Sequence, residues 1–249
     1  MRSEDIAPGR LYGELAWLLP LFTPPEDYAE EAVCWRSVLR ERLGPGRHAV
    51  LELGVGGGHN LSHLANEFRA TAVDLSPDML ALCRRLNPGV ELHQGDMRSV
   101  RLGRTFRAVL IHDAISYMIT EHDLLRTLET AAAHLEPGGV LVAAPDRFAE
   151  TFQPPQSHAI TRHADGILVH YTEYTHDPDP ADTSVETLIA LFVTDRSGTR
   201  VELDRHVTGL FPRATWARLF AQAGFALETR AFPLSSLDVP YELLVGVLG

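Results

Sequence analysis

Residues 50–60 read VLELGVGGGHN: an apolar run that closes in Glu52, four glycines in five positions, then His59-Asn60. No other stretch narrows the fold as far. A backbone bare of side chains between a strand and a helix lets a ligand reach the peptide N–H groups of a helix N-terminus. Such a junction belongs to α/β folds, whose ligands gather at the carboxyl ends of the strands. The flanking sequence keeps that rhythm. AVLEL (49–53) is a short apolar strand, HNLSHLANEF (59–68) a helix and ATAVD (70–74) a second strand. SPDMLALCRRL (76–86) opens with Ser76 as N-cap and Pro77 at the first helical position. VELHQ (90–94) and RAVLIHD (107–113) are the third and fourth strands. A helix over 121–135 is stopped by PGG (137–139) before the fifth strand, VLVAA (140–144). Strands alternating with helices at this spacing predict a parallel sheet wound by right-handed crossovers.

The flanks differ. Residues 11–43 are mainly helical in pattern, with PPED (24–27) as a start signal and GPG (44–46) as the close. From 150 to 210 the alternating runs HAITRHADGILVHYTEYT, TSVETLIALFVTD and TRVELDRHVTGLF predict a small antiparallel sheet. PRATWARLFAQAG (212–224) is a helix with Gly224 as its stop, and FALETRAF and YELLVGVL are two closing strands. With 45% hydrophobic residues the chain can bury a core unaided, and a net charge of −11 argues against nucleic acid as the main partner. Cys34 and Cys83 have no zinc or redox spacing, so no metal site is expected. No segment approaches the ~20 apolar residues of a membrane span. A soluble, cytoplasmic protein is expected.

Several cofactors use glycine loops. The nicotinamide fingerprint needs a third glycine where this chain has His59, and a phosphate-binding P-loop needs Gly-Lys-Ser/Thr where it has Gly58-His59-Asn60. Asp74 stands at the end of the second strand, where an ionised carboxylate can accept both ribose hydroxyls of an adenosine. In QGDMRSV (94–100), Asp96 is placed to take the adenine amino group, with Met97 and Leu75 as apolar walls. Glu52, Gly54, Asp74 and Asp96 all fall at the ends of successive strands.

This constellation resembles the class I S-adenosylmethionine (SAM)-dependent methyltransferases: LELGVGGG as their glycine motif, VDLS as their ribose carboxylate, GDM as their adenine-side motif and LEPGGVLV as the entry to their fifth strand. The resemblance covers residues from about 12 to the end. It implies a seven-stranded, mostly parallel Rossmann-like α/β sheet with a helical N-terminal lid (1–46), a SAM-binding core (47–149 and 211–249) and an inserted small antiparallel sheet for the acceptor (150–210). It implies SAM as cofactor, held by Tyr12, Glu52, Gly54, Gly56, Asp74, Leu75, Met79, Asp96, Met97 and His112. Within the superfamily the chain looks most like the small-molecule N-methyltransferases that dimethylate nucleotide-linked amino sugars, through residues 92–106, 134–152 and 204–225. Tyr12 and Tyr28 match lid tyrosines of those enzymes, and His206 a histidine of their inserted sheet. The chain departs from them at His112-Asp113 and Asp146-Arg147, positions that the resemblance puts near the acceptor.

Methyl transfer from a sulfonium is an in-line displacement in which alignment supplies much of the rate. The end of the fourth strand, HDAISYM, faces the methyl, and His112, His206 and Tyr117 are the candidate catalytic residues. His112 suits a base, its class titrating near neutrality; packing against the cofactor is the alternative. Asp113 is placed to hold an ammonium or to cap a helix. Arg147, Arg162, Arg205 and Arg213 are the cations available to clamp a diphosphate. The expected function is methyl transfer to a small-molecule acceptor, at nitrogen before oxygen. O-methylation with a histidine base and a non-catalytic SAM-binding protein stand as alternatives. A homodimer is among the assemblies that the sequence allows.

Overall fold

A computed structural model describes residues 3–235 and 241–249. Ahead of the first strand come three 3-10 turns (Ser3–Asp5, Arg10–Tyr12, Ala16–Leu18), the short helix α1 (Leu19–Phe22), a further turn at Pro25–Tyr28, and helix α2 (Ala29–Leu43). The expected helical stretch is therefore broken. Pro24 and Pro25 lack the N–H groups that would continue α1 into α2.

Five strands then follow at the expected places: β1 (Ala49–Leu53), β2 (Arg69–Asp74), β3 (Glu91–Gln94), β4 (Phe106–Ile111) and β5 (Leu135–Ala143). They alternate with α3 (His59–Ser62), α4 (Pro77–Leu86) and α5 (Glu121–Ala133). A four-stranded excursion, β6 (Gln156–Ala164), β7 (Ile167–His176), β8 (Ser184–Asp195) and β9 (Gly198–Gly209), leads to α6 (Arg213–Gln222) and the hairpin β10 (Phe225–Phe232) and β11 (Tyr241–Leu248). The main sheet has the order β10-β11-β5-β4-β1-β2-β3, and β11 alone runs against its neighbours. The strand order reverses between β1 and β4, so their carboxyl ends form the crevice where such sheets take ligands.

Alternation along β1 sorts the two cores. Leu51 and Leu53 face α5 and α6 with Leu124 and Trp216, whereas Val50 faces α2 and α4 with Trp35 and Leu80. Glu52 shares the face of Val50, a position that the pattern would give to an apolar residue. The second sheet is a β6-β7-β8-β9 meander. Its inner residues Val169, Ile189, Leu191 and Val193 are covered by Leu11, Leu15, Leu18 and Phe22 of the N-terminal segment. No helix among the described residues is long and apolar enough to cross a membrane.

Three local expectations need correction. The helix expected over 59–68 stops at Ser62. Beyond it the Arg36 guanidinium donates to the His63 carbonyl at 2.8 Å, removing an acceptor from the helical ladder. The PGG stretch does not end α5. That helix closes at Ala133, with His134 Nδ1 against the Thr130 carbonyl at 2.8 Å, and Glu136–Gly139 form a bulge inside β5 between the partners of Phe106 and Ala108. The fourth strand ends at Ile111, two residues early, because His112 leads into a 3-10 turn over Asp113–Tyr117.

Candidate active site

A cavity of about 870 Å³ opens at the ends of β1, β2 and β4 and runs beneath the N-terminal segment to the inner face of the small sheet. At one end lies the glycine loop. Gly54 has φ +74°, and a Cβ there would fall 2.4 Å from Ala114 Cβ and 2.8 Å from Met97 Cε. Gly58, at φ +77°, is closed off in the same way by Asn87 and Cys83. The loop is tied to β2 by the Gly54 and Val55 N–H groups, both donating to the Val73 carbonyl at 2.8 and 3.1 Å. Only glycine fits such a close approach at positive φ.

Asp74 accepts the Gly56 N–H at 2.7 Å on one oxygen and the Ser76 N–H at 2.9 Å on the other. It thus holds the loop and keeps lone pairs turned to the cavity. Burial pushes its carboxyl up, against the pull of those N–H groups. Glu52 is 2% exposed, and its Oε2 has no hydrogen-bond partner. Burial, together with the Asp113 and Asp74 charges, pushes its carboxyl up to about 8. Asp96 is already engaged: Arg98 clamps both of its oxygens at 2.6–3.0 Å and holds its carboxyl below the usual range. Leu75 is exposed at the rim, Met97 lies beside Gly54, and Met79 is buried under the cavity floor with Ala16 and Leu82. These side chains give this end of the cavity apolar walls.

His112 sits midway. Its Nε2 is 2.5 Å from Glu31 and its Nδ1 3.2 Å from Asp113. Burial alone would lower its pKa, yet the two carboxylates overcome this and hold it well above the ordinary histidine value. It is a clamped imidazolium, with Trp35 packed at 5.3 Å. The same pairing keeps Asp113 ionised, although burial opposes it. More than half of the Asp113 side chain is exposed, but to the cavity.

At the far end a hydrogen-bonded chain crosses three parts of the fold. Tyr12 Oη, from the N-terminal segment, lies 2.7 Å from Tyr117 Oη. Tyr117, from the turn after β4, lies 2.8 Å from His206 Nδ1, and His206 Nε2 lies 2.9 Å from Asp204 Oδ2, both on β9. Tyr12 also stacks on the His206 ring at 5.0 Å. Asp204 is fully buried and accepts the Arg10 and Leu11 N–H groups at 2.9 and 2.7 Å. Burial works against its charge, but these donors and His206 hold its carboxyl below the usual range. An ionised carboxylate only accepts, so His206 Nε2 carries the hydrogen and, in the neutral ring, Nδ1 accepts from Tyr117.

Sequence reasoning missed Asp204 and Glu31. Asp204 had a signal, since it lies two residues before His206 and so on the same face of a strand; Glu31, on α2, had none. Of the four arginines available in the sequence for a clamp, Arg147 alone lines the cavity. Arg162 pairs with Asp27, Arg205 with Glu186, and Arg213 with Glu150 and Glu242.

A methyltransferase domain model matches residues 50–139, from β1 to the bulge in β5. The dTDP-3-amino-3,6-dideoxy-alpha-D-glucopyranose N,N-dimethyltransferase of Streptomyces fradiae is 36% identical over 221 residues, covering 87% of this chain and 85% of the relative. Among solved structures, Streptomyces venezuelae DesVI superposes with a TM-score of 0.80 at 30% identity, over 100% of this chain and 99% of that one. SAM-bound CalS10, an amino pentose methyltransferase from Micromonospora echinaspora, does so with 0.76 at 28% identity, over 89% and 92%. With the glycine cradle, the cavity-lining Asp74 and the buried Glu52 already in place, this likeness along nearly the whole chain makes it a member of the SAM-dependent methyltransferases, in the family of the amino-sugar N,N-dimethyltransferases.

Proposed function

We propose that the chain methylates the amino group of a nucleotide-linked amino sugar, twice in succession. The observation that carries this reading is the Tyr12–Tyr117–His206–Asp204 chain at the acceptor end of the cavity. An amine arrives as an ammonium and must lose a proton before its nitrogen can attack. Bound SAM supplies the methyl group on a sulfonium; the remaining work falls to this chain.

Gly54, Gly56, Asp74 and Glu52 are the residues to hold the cofactor, with Leu75, Met79 and Met97 around its adenine. Asp96, with both oxygens on Arg98, orders that wall. In our reading residues 1–46 are the lid, residues 47–149 and 211–249 the core, and residues 150–210 the acceptor floor. The acceptor proton passes to Tyr12 Oη while that hydroxyl gives its own to Tyr117 and Tyr117 gives its own to His206 Nδ1. Asp204 balances the imidazolium so formed. We assign the base to His206 and not to His112, because a clamped imidazolium has no lone pair to offer. His112 then positions Asp113. Arg147 is the cation left to meet a diphosphate.

The test is incubation with SAM and dTDP-3-amino-3,6-dideoxyglucose, followed by mass spectrometry. Mono- and then dimethylated sugar is expected. Tyr117→Phe should slow turnover about a hundredfold while leaving S-adenosylhomocysteine affinity intact. Cofactor binding without methylation of any amino sugar would end this reading; full activity in Tyr117→Phe would end the proton route.

A further inference from the structure

Most carboxylates inside the cavity already have a partner. Asp74 takes two backbone N–H groups, Asp96 takes Arg98, Asp113 faces His112, and Glu173 accepts the Tyr171 hydroxyl. Two deeper ones have none. Glu52 stands at the cofactor end with a buried, unpartnered oxygen. Asp146 stands at the acceptor end, and no donor among the described residues bonds to its carboxylate.

Its placement is well fixed. The Asp146 N–H donates to Ser116 Oγ at 3.0 Å, and two residues earlier the Ala144 N–H donates to the Ile111 carbonyl at 3.1 Å. Asp146 therefore follows β5 where Asp113 follows β4, and both line the cavity over the ends of adjacent parallel strands. Arg147, the next residue, lines the same cavity. It reaches Thr208 at 3.4 Å, lies over the Phe152 ring, and makes no ion pair with Asp146. Burial first, and the Asp113 charge second, push the Asp146 carboxyl up to about 6, against the pull of the Arg147 and His112 charges. A carboxylate left in this state is unfavourable in the free protein and becomes favourable when a cation arrives. The reaction has two cationic partners, and these two deeper carboxylates lie one at each end of the cavity.

We propose that Asp146 receives the acceptor's ammonium group and so selects amines over alcohols. The inference rests on the amino-sugar reading above. An alcohol offers a neutral dipole where an ammonium offers a charge-assisted bond, and only the ammonium relieves the Asp113–Asp146 pair. Asp146 is thus a specificity residue, separate from the Tyr117–His206 proton route.

The test is calorimetric titration of the S-adenosylhomocysteine complex with dTDP-3-amino-3,6-dideoxyglucose and with its 3-hydroxy counterpart, dTDP-6-deoxyglucose. The wild type should bind the amine about tenfold tighter or better. Asp146→Asn should bring the two sugars within about threefold of each other, with S-adenosylhomocysteine affinity unchanged; Asp146→Ser serves the same purpose should the first variant not fold. A preference that survives in both variants overturns the proposal, as does a wild type without preference. A wild type that binds neither sugar removes the amino-sugar reading, and this inference with it. Binding of both sugars with no discrimination removes the inference alone.

Discussion

Glu52 offers the sharpest quantitative test of the cavity's electrostatics. It is 2% exposed in the free protein, and its carboxyl is raised from 4.5 to about 8. In the unfolded chain it ionises near its ordinary value. The folded state therefore holds a proton that the unfolded chain has released, and stability declines as pH rises from 4.5 toward 8. At 1.36 kcal/mol per pH unit, that loss is under about 1 kcal/mol at pH 5, about 3 at pH 7 and close to 5 above pH 9. Glu52→Gln keeps the volume and never ionises. Denaturant unfolding of the cofactor-free protein should show the variant gaining on the wild type along this curve, and at pH 7 the gain corresponds to about 6–12 °C in melting temperature. The unmet amide N–H of the substituted side chain offsets the whole curve but not its slope. S-adenosylhomocysteine affinity should fall in the same variant, because a charge that a cation can recruit is gone. A constant difference between the two proteins from pH 5 to pH 9 would refute the reasoning.

Gly54→Ala places a methyl 2.4 Å from Ala114 Cβ at a φ of +74°. A destabilisation of about 1–3 kcal/mol and loss of S-adenosylhomocysteine binding are expected by calorimetry; near-native affinity would show that the loop does not approach the cofactor. His112→Gln removes an imidazolium whose pKa is raised on folding, a contribution complete below pH 6.5 and lost as pH climbs through the folded value. The variant should therefore be most destabilised near pH 6, and a cost that grows toward alkaline pH would contradict the clamp.

The order of strands around the glycine loop was legible because it rests on local chemistry: apolar pentads, Ser76-Pro77 at a helix start, a carboxylate closing β2. Ser76 Oγ does accept the Met79 N–H, at 3.2 Å. What escaped depends on long-range pairing. Nothing near His63 announces that Arg36 will take its carbonyl, and Pro137-Gly138-Gly139 reads equally as a helix stop or a strand bulge until β4 fixes the register. His112 reads as a base in isolation and becomes a cation only when α2 delivers Glu31, 81 residues away in sequence. Asp146 and Arg147 stood out as departures from the amino-sugar enzymes, but that both line the cavity without an ion pair between them was not written in the dipeptide.

Asp204 anchors the N-terminal segment and backs the His206 ring with one carboxylate. Under the function proposed above, this sets an order of events. On the proton route proposed above, Tyr12 links His206 to the acceptor nitrogen, so lifting the segment would break that line and deprotonation would wait for its return. Once the ring has taken a proton, its attraction to Asp204 grows, and the carboxylate that pins Arg10 and Leu11 is held more firmly in place. Loss of that proton would relax the hold again, so on the proposed route discharge of the ring is coupled to release of the segment.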